Sequence, residues 1–165
     1  KLHEELDRVL GGRPPAADDL PRLPYTRAVL AESMRVRPPA WTLERSALAD
    51  FEAGGFTIRR GTIVLLSQYL VHRDPRWWED PERFDPERWS PERQAERPKF
   101  SYFPFGAGTR ICVAEHFAWM EGTLVLAAVA QRWRLRYESS TAPVLEPLVT
   151  LRPKGGLRMR LEART

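Results

Sequence analysis

The spacing of apolar residues predicts three helices in this chain. A helix is expected over residues 2–10, where Gly11 and Gly12 end the pattern, and another over residues 23–35. The strongest pattern predicts a helix over residues 113–133. The positions on its expected core face recur at i, i+4 and i+7 spacing and are Val113, Phe117, Met120, Leu124, Ala127, Ala128 and Gln131.

Short runs rich in apolar and β-branched residues predict two β-hairpins. Residues 56–58 and 62–66 are separated by a turn signal, so we expect these two runs to pair. Residues 150–151 and 157–161 flank a turn-forming segment at 153–156 and are expected to form a second hairpin. Together with the helices, these patterns predict a mainly α protein with small β-hairpins, of the α+β class.

The segment 74–102 shows neither helical nor strand periodicity, and a short helix over 68–73 is expected before it. So long an irregular segment is unusual inside a compact domain and indicates a functional role. We expect its aromatic side chains to hold it against the rest of the protein. These are Trp77, Trp78, Phe84, Trp89, Phe100, Tyr102 and Phe103.

The chain has 165 residues, enough for one domain, and 26 basic against 22 acidic residues give a net charge of +4. Most of the basic residues are scattered arginines, which favours an ordinary charged surface over a nucleic-acid-binding site. A basic face that binds an acidic redox partner is a further interpretation.

The longest apolar run, residues 124–130, is far shorter than the ~20 residues of a membrane span. No signal peptide is evident, and the sequence starts at Lys1 in a helical pattern, so we expect a piece of a longer protein. Cys112 is the only cysteine, which suits a reducing compartment. We therefore expect a soluble, cytoplasmic protein, and its arginine- and proline-rich composition favours a bacterial one, although an anchor upstream of Lys1 would not be visible here.

The candidate chemistry lies in residues 105–112, just before the strongest predicted helix. Gly106 and Gly108 would allow a tight turn and the close approach of a flat ligand. Cys112 would fall at the helix N-terminus, which favours a thiolate, a soft ligand for iron. Arg110 suits pairing with a carboxylate. On this segment alone, a buried and inert cysteine is an equally good interpretation.

Two further motifs precede this segment. Glu32 and Arg35 stand at i, i+3 spacing and therefore share one helix face, which on its own indicates only a surface ion pair. Arg88 stands in Pro86-Glu87-Arg88-Trp89, within the irregular segment.

In combination these motifs resemble cytochromes P-450, a family of haem-thiolate monooxygenases. The order Glu-x-x-Arg, Pro-Glu-Arg-aromatic and Phe-Gly-x-Gly-x-Arg-x-Cys resembles their K helix, meander and Cys-ligand loop. Four flanking segments are similar too, namely residues 23–26, 37–39, 72–75 and 102–105. The resemblance covers the chain and implies that residues 1–165 are the C-terminal, haem-ligand portion of one such domain, with the L helix and terminal β-hairpin after the ligand loop and the upstream part absent.

The resemblance also implies which residues bind the cofactor, haem b. These are Cys112 as the axial iron ligand, with Arg110, Phe105, Gly106, Gly108 and Arg45. Arg110 is expected to pair with a haem propionate and Phe105 to pack beside the cysteine–haem bond. Arg45 has two equal interpretations, a second propionate contact or a plain strand-surface charge.

Glu32, Arg35 and Arg88 are expected to form a structural triad that holds the ligand loop. Arg83 lies in a similar Pro-Glu-Arg-aromatic motif. Arg88 is preferred because it occupies the later position, where the family has its triad arginine. One residue departs from the pattern: Ala114 stands where the family usually has glycine, and it could crowd the haem.

Trp41, Leu43 and Val149 are expected to face the substrate, with a core aromatic as the equal alternative for Trp41. The implied reaction inserts one atom of dioxygen into a small apolar organic substrate. The electrons come from NAD(P)H through a ferredoxin or a flavoprotein reductase. We expect these residues alone to be inactive, since the helix with the acid–alcohol pair lies outside them. A peroxide-using peroxygenase and a non-catalytic haem-binding or interaction fragment are the alternatives.

Overall fold

The computed structural model describes residues 1–164 and contains five α-helices and eight short strands within them. The helices are α1 (Leu2–Leu10), α2 (Pro24–Val36), α3 (Gln68–Val71), α4 (Pro91–Ala95) and α5 (Glu115–Arg132). The strands are β1 (Leu43–Ser46), β2 (Phe51–Ala53), β3 (Phe56–Ile58), β4 (Ile63–Leu66), β5 (Trp133–Tyr137), β6 (Leu145–Pro147), β7 (Leu151–Pro153) and β8 (Met159–Ala163). The predicted fold class, helices with small antiparallel sheets, is confirmed.

The apolar core lies where α1, α2 and α5 meet. Its buried side chains are Leu6, Leu10, Leu23, Ala127 and Ala130. The prediction of α1 over residues 2–10 is confirmed, and Gly11 ends it in the left-handed conformation at φ 55°. The other two helices are confirmed with boundaries that shift by one or two residues.

The predicted core face of α5 is largely wrong. Val113 is fully exposed and precedes the helix, and Phe117 is exposed by 57%. The buried line of α5 runs instead through Trp119, Thr123, Ala127 and Ala130. Because α5 carries apolar residues on most of its sides, their spacing does not select a single buried face.

The first predicted hairpin, 56–58 with 62–66, is wrong in its pairing. β3 pairs with β2, from Phe51 opposite Ile58 to Ala53 opposite Phe56. β4 pairs with β1, so that the β2–β3 hairpin is an insertion between two outer strands. The reason is that Gly54 and Gly55 both have positive φ, 58° and 81°, and form the tight hairpin turn.

The second predicted hairpin, 150–151 with 157–161, is wrong as well. β8 pairs with β5, the strand that directly follows α5, and β7 pairs with β6. The expected turn does exist, because the Gly156 N–H donates to the Pro153 carbonyl oxygen over 3.2 Å. The strands on its two sides nevertheless pair with other partners, which the local sequence pattern does not reveal.

The segment 74–102 is irregular, as predicted, apart from a 3₁₀ turn at Pro86–Trp89 and the five-residue α4. Its expected aromatic anchoring holds in part. Trp78 is buried, and Trp89, Tyr102 and Phe103 are half-buried. Trp77, Phe84 and Phe100 are exposed, so these three do not anchor the segment within the described residues.

Among residues 1–164, no helix combines the length and the apolar character needed to cross a membrane.

The buried carboxylate of Glu5 provides a test of the helix packing. It accepts hydrogen bonds from the backbone N–H groups of Tyr25 and Thr26, both over 2.8 Å, and from the Thr26 hydroxyl over 2.7 Å. It thereby satisfies free donors at the N-terminus of α2. We expect Glu5→Gln to lower the free energy of unfolding by about 1–3 kcal/mol, measured by urea denaturation.

Glu4→Gln is the matched control, since Glu4 lies one residue earlier on α1 and its side chain is exposed by 84%. This variant should stay within about 0.5 kcal/mol of the parent protein. Equal losses in the two variants would contradict the capping role of Glu5.

Candidate functional site

The carboxylate of Glu32 is the centre of a buried network on α2. Glu32 and Arg35 are both fully buried, and the i, i+3 spacing brings their side chains together. Arg35 donates from Nε to Oε2 of Glu32 over 2.9 Å and from Nη2 to Oε1 over 2.8 Å. This bidentate geometry makes the pair a buried ion pair and not the surface pair that the motif alone indicated.

The guanidinium of Arg35 also binds three backbone carbonyl groups outside α2. Nη1 donates to the carbonyl oxygens of His72 over 2.8 Å and Pro81 over 2.7 Å, and Nη2 donates to that of Arg83 over 3.0 Å. With the two bonds to Glu32, all five N–H donors of the guanidinium are used. Arg35 therefore holds the irregular segment directly against α2.

Arg88 completes the ion cluster predicted from the sequence. Its Nε lies 3.4 Å from Oε1 of Glu32, and its Nη2 donates to the Asp80 carbonyl oxygen over 2.9 Å. The side chain of Arg83, in contrast, is exposed, and Arg83 contributes its carbonyl group alone. The structure thus places Arg88, and not Arg83, beside Glu32.

Sequence reasoning missed two further donors to Glu32. The indole Nε1 of Trp89 donates to Oε2 over 3.0 Å, and the backbone N–H of Asp85 donates to Oε1 over 2.9 Å. The sequence signal that could have indicated Trp89 was the aromatic position after Arg88 in the Pro-Glu-Arg-aromatic motif. With these donors the buried carboxylate is fully hydrogen-bonded, which offsets part of its desolvation cost.

Backbone hydrogen bonds close the loop that carries Cys112. The Gly106 N–H donates to the Phe103 carbonyl oxygen over 2.9 Å, and the Cys112 N–H donates to that of Phe105 over 2.9 Å. Gly106 and Gly108 have φ of 80° and 72°, a region that favours glycine. A Cβ atom on Gly108 would have no neighbour within 4 Å, so this part of the loop is open to a ligand.

Cys112 is exposed and lies before α5, which begins at Glu115 after the N-cap residue Ala114. The prediction that it falls at the helix terminus is therefore off by two positions. Within residues 1–164 the side chain is exposed, which differs from the burial expected under the alternative interpretation. Phe105 packs on Trp119 of α5 with its ring centre 5.5 Å away, so the start of the loop is in contact with that helix.

Two arginines near the loop have guanidinium groups that form no ion pair within residues 1–164, namely Arg110 and Arg45. Arg110 is exposed and Arg45 half-buried. Leu43 packs at Gly106, since a Cβ there would lie 3.3 Å from its Cδ1 atom. Arg45 stands two residues along β1 and so projects to the same side of the strand as Leu43.

The three predicted substrate-facing residues lie on two segments, and hydrogen bonds join these segments. The indole Nε1 of Trp41 donates to the Leu148 carbonyl oxygen over 2.8 Å, and the Leu151 N–H donates to that of Pro39 over 2.8 Å. Val149, at the tip between β6 and β7, is exposed by 98%. The structure thus brings Trp41 to the tip, while Leu43 lies on the side of the ligand loop.

An aromatic cluster connects the ion cluster with the ligand loop. The ring centre of Tyr102 lies 4.4 Å from that of Trp89 and 4.9 Å from that of His72. The Tyr102 hydroxyl donates to the Ala31 carbonyl oxygen of α2 over 3.0 Å. Burial raises the pKa of Tyr102, so the phenol stays protonated and keeps this donor.

Comparisons with known proteins agree with this architecture. A cyclooctat-9-en-7-ol 5-monooxygenase of Streptomyces melanosporofaciens is 44% identical over 82% of the chain and 30% of its own length. A pentalenene oxygenase of Streptomyces avermitilis is 38% identical over 100% of the chain and 37% of its own length. The solved heme domain of cytochrome P450DA superposes with a TM-score of 0.91 at 30% identity, over 99% of this chain and 37% of that one.

The chain thus spans about a third of the length of these proteins. The sequence profile of the family described as Cytochrome P450 matches residues 1–159, which include the Glu32 network and the Cys112 loop. On this evidence the chain belongs to the cytochrome P450 family.

Proposed function

We propose that residues 1–165 are the C-terminal, haem-ligand portion of a larger P450 domain, and that the whole protein is a haem-thiolate monooxygenase. The observation that carries this proposal is Cys112, exposed in a hydrogen-bonded loop with two positive-φ glycines, within a chain that matches the family over residues 1–159. Two relatives named monooxygenase and oxygenase support the reaction class.

The residues of the loop fit haem b with Cys112 as the axial ligand. The chain from Gly108 to Ala114 is exposed, and Gly108 has open space in the direction that a side chain would take. A flat ligand can therefore approach the backbone closely. The Cys112 N–H donates to the Phe105 carbonyl oxygen, which holds the backbones of the two residues together. The Phe105 side chain would pack beside the cysteine–haem bond and help to tune its electronic properties.

Arg110 and Arg45 are the proposed partners of the haem propionates. Neither guanidinium forms an ion pair within residues 1–164, and the hydrogen bond of Arg45 Nη1 goes to the backbone carbonyl oxygen of Glu44 over 2.7 Å. A guanidinium can bind a carboxylate through two parallel N–H donors. Arg110 reaches from the loop itself and Arg45 from β1, so they would orient the cofactor from two different elements.

Bound through a cysteine thiolate, haem supplies the activation of dioxygen, because the electron-rich thiolate favours O–O cleavage. In the proposed reaction one oxygen atom enters a C–H or C=C bond, and two electrons and two protons reduce the other to water. The electrons would come from NAD(P)H through a ferredoxin or a flavoprotein reductase. Trp41, Leu43 and Val149 would present apolar surface to the substrate.

The relatives' names indicate the chemical class of that substrate. One relative is named for pentalenene and the other for cyclooctat-9-en-7-ol, an unsaturated alcohol. We propose a small apolar organic substrate of comparable character. Exposed apolar side chains at the tip between β6 and β7, Leu148 and Val149, are consistent with it.

The direct test is the absorption spectrum of the reduced, carbon-monoxide-bound full-length protein. We expect a strongly red-shifted Soret band in the parent protein and its loss in Cys112→Ala, since Cys112 is the only cysteine among these 165 residues. Met120→Leu is the control, because it removes another sulfur close along the chain at nearly constant volume. A red-shifted band that persists in Cys112→Ala would refute the ligand assignment.

The structural role of the triad can be tested by Arg35→Lys. A lysine retains the charge but offers three donors where Arg35 uses five, so two hydrogen bonds are lost. Each of these hydrogen bonds contributes about 1.5 kcal/mol. The free energy of unfolding, measured by urea denaturation, should therefore fall by about 3 kcal/mol. Arg93→Lys is the control, since this exposed arginine makes only a 3.7 Å contact with Asp85. A loss as small as that of the control would contradict the role of Arg35.

A further prediction concerns the isolated residues 1–165. Because they span about a third of the relatives' length, they cannot supply all of the haem and substrate contacts of a complete domain. We expect no product above background from this polypeptide with haem, NAD(P)H, a redox partner and an unsaturated hydrocarbon. The full-length protein measured in parallel is the positive control. Product from the isolated polypeptide would overturn this prediction.

A further inference from the structure

His72 is a fully buried polar residue that contacts both the Glu32 network and the ligand loop. Its carbonyl oxygen accepts a hydrogen bond from Nη1 of Arg35 over 2.8 Å. Its ring nitrogen Nε2 accepts a hydrogen bond from the backbone N–H of Phe103 over 2.9 Å. One residue at the end of α3 thus binds the triad through its backbone and the ligand loop through its side chain.

A continuous series of hydrogen bonds leads from this ring to Cys112. Phe103 donates its N–H to His72, and the Phe103 carbonyl oxygen accepts from the Gly106 N–H over 2.9 Å. The adjacent Phe105 carbonyl oxygen accepts from the Cys112 N–H, also over 2.9 Å. The orientation of the peptide at Phe103 therefore determines where the turn that carries Cys112 begins.

The imidazole packs against two aromatic rings. The ring centre of Tyr102 lies 4.9 Å away in a tilted arrangement, and that of Phe103 lies 5.3 Å away, nearly edge-on at 76°. Tyr102 is in turn bound to α2 through its hydroxyl. The imidazole thus has little rotational freedom and presents Nε2 at one defined point.

The environment keeps this ring neutral, as a hydrogen-bond acceptor must be. Burial, together with the positive charges of Arg35 and Arg73, lowers the pKa of His72 to about 3. With Nε2 accepting, the neutral ring carries its proton on Nδ1, which is buried and has no hydrogen-bond partner among residues 1–164. Gln68, one helical turn earlier, is also fully buried, so a polar amide shares this face of α3.

We propose that His72 is a positioning residue for the Cys112 loop, acting as the fixed acceptor for the Phe103 N–H. This inference rests on the proposed role of Cys112 as the thiolate ligand. No other acceptor for the Phe103 N–H exists among the hydrogen bonds of residues 1–164. Loss of the acceptor leaves a buried donor unsatisfied at the start of the loop, which destabilises the thiolate-bound arrangement more than the helices.

The test compares two variants that both lack the ring, His72→Gln and His72→Leu. The amide oxygen of glutamine can replace Nε2 as acceptor, whereas leucine cannot. In the haem-loaded full-length protein, the reduced carbon-monoxide spectrum gives the ratio of thiolate-bound to thiolate-free haem during urea titration. Far-UV circular dichroism gives the helical content of the same samples, which a purely structural role would change in parallel.

We expect His72→Leu to lower the thiolate-bound ratio by about tenfold or more at urea concentrations where the helical signal is intact. His72→Gln should remain close to the parent protein, as should His3→Gln, the control on α1. If both His72 variants lose the thiolate band equally, or both keep it, the proposal is wrong. A His72 variant that does not bind haem is scored as having lost the thiolate band.

The failure of this inference is distinguishable from the failure of the proposed function. If the parent protein lacks the red-shifted band, or Cys112→Ala retains it, Cys112 is not the ligand and both proposals fall. If the parent and Cys112→Ala behave as expected while the two His72 variants are indistinguishable, only the role of His72 falls. The decisive quantity is therefore the difference between the glutamine and the leucine variant.

Discussion

The buried ion pair of Glu32 and Arg35 is the interaction on which the rest of the structure depends. Removing two charges from water is costly, and the cost is offset only where every donor and acceptor is satisfied. Here all five N–H groups of Arg35 bind acceptors, and Glu32 accepts hydrogen bonds from Arg35, from the Asp85 N–H and from the Trp89 indole. Both side chains are fully buried, so any movement of these segments exposes an unsatisfied charge.

This requirement explains how a segment without regular secondary structure remains ordered. The carbonyl groups of Pro81 and Arg83 have no strand partner, and the guanidinium of Arg35 satisfies them instead. Trp78 lies under the same guanidinium at 5.0 Å, while Arg97 stacks 4.4 Å from both Trp78 and Trp89. Charge and aromatic stacking together replace the repeating backbone bonds that a helix or sheet would provide.

The features predictable from the sequence are those that local spacing determines. The helix α1 follows from its apolar period and the glycine after it, and the Glu32–Arg35 contact follows from i, i+3 spacing. The second hairpin was mispredicted because β8 pairs with a strand more than twenty residues earlier, β5, and no local signal encodes this choice. The role of His72 escaped prediction for the same reason, since its importance comes from partners distant in sequence.

Glycine can be required either by the backbone conformation or by the space that a side chain would take. The sequence motif of the ligand loop does not distinguish these two reasons. Gly106 and Gly108 have φ of 80° and 72°, so a side chain at either position would strain the backbone. Ala114, where the family usually has glycine, has φ −90° and ψ 9°, a negative-φ conformation that residues other than glycine also occupy. Glycine is therefore not required at 114 by the backbone. Any weakening of cofactor binding by Ala114 must come from the space that its methyl group takes beside the bound cofactor. At positions 106 and 108, in contrast, the backbone conformation itself requires glycine.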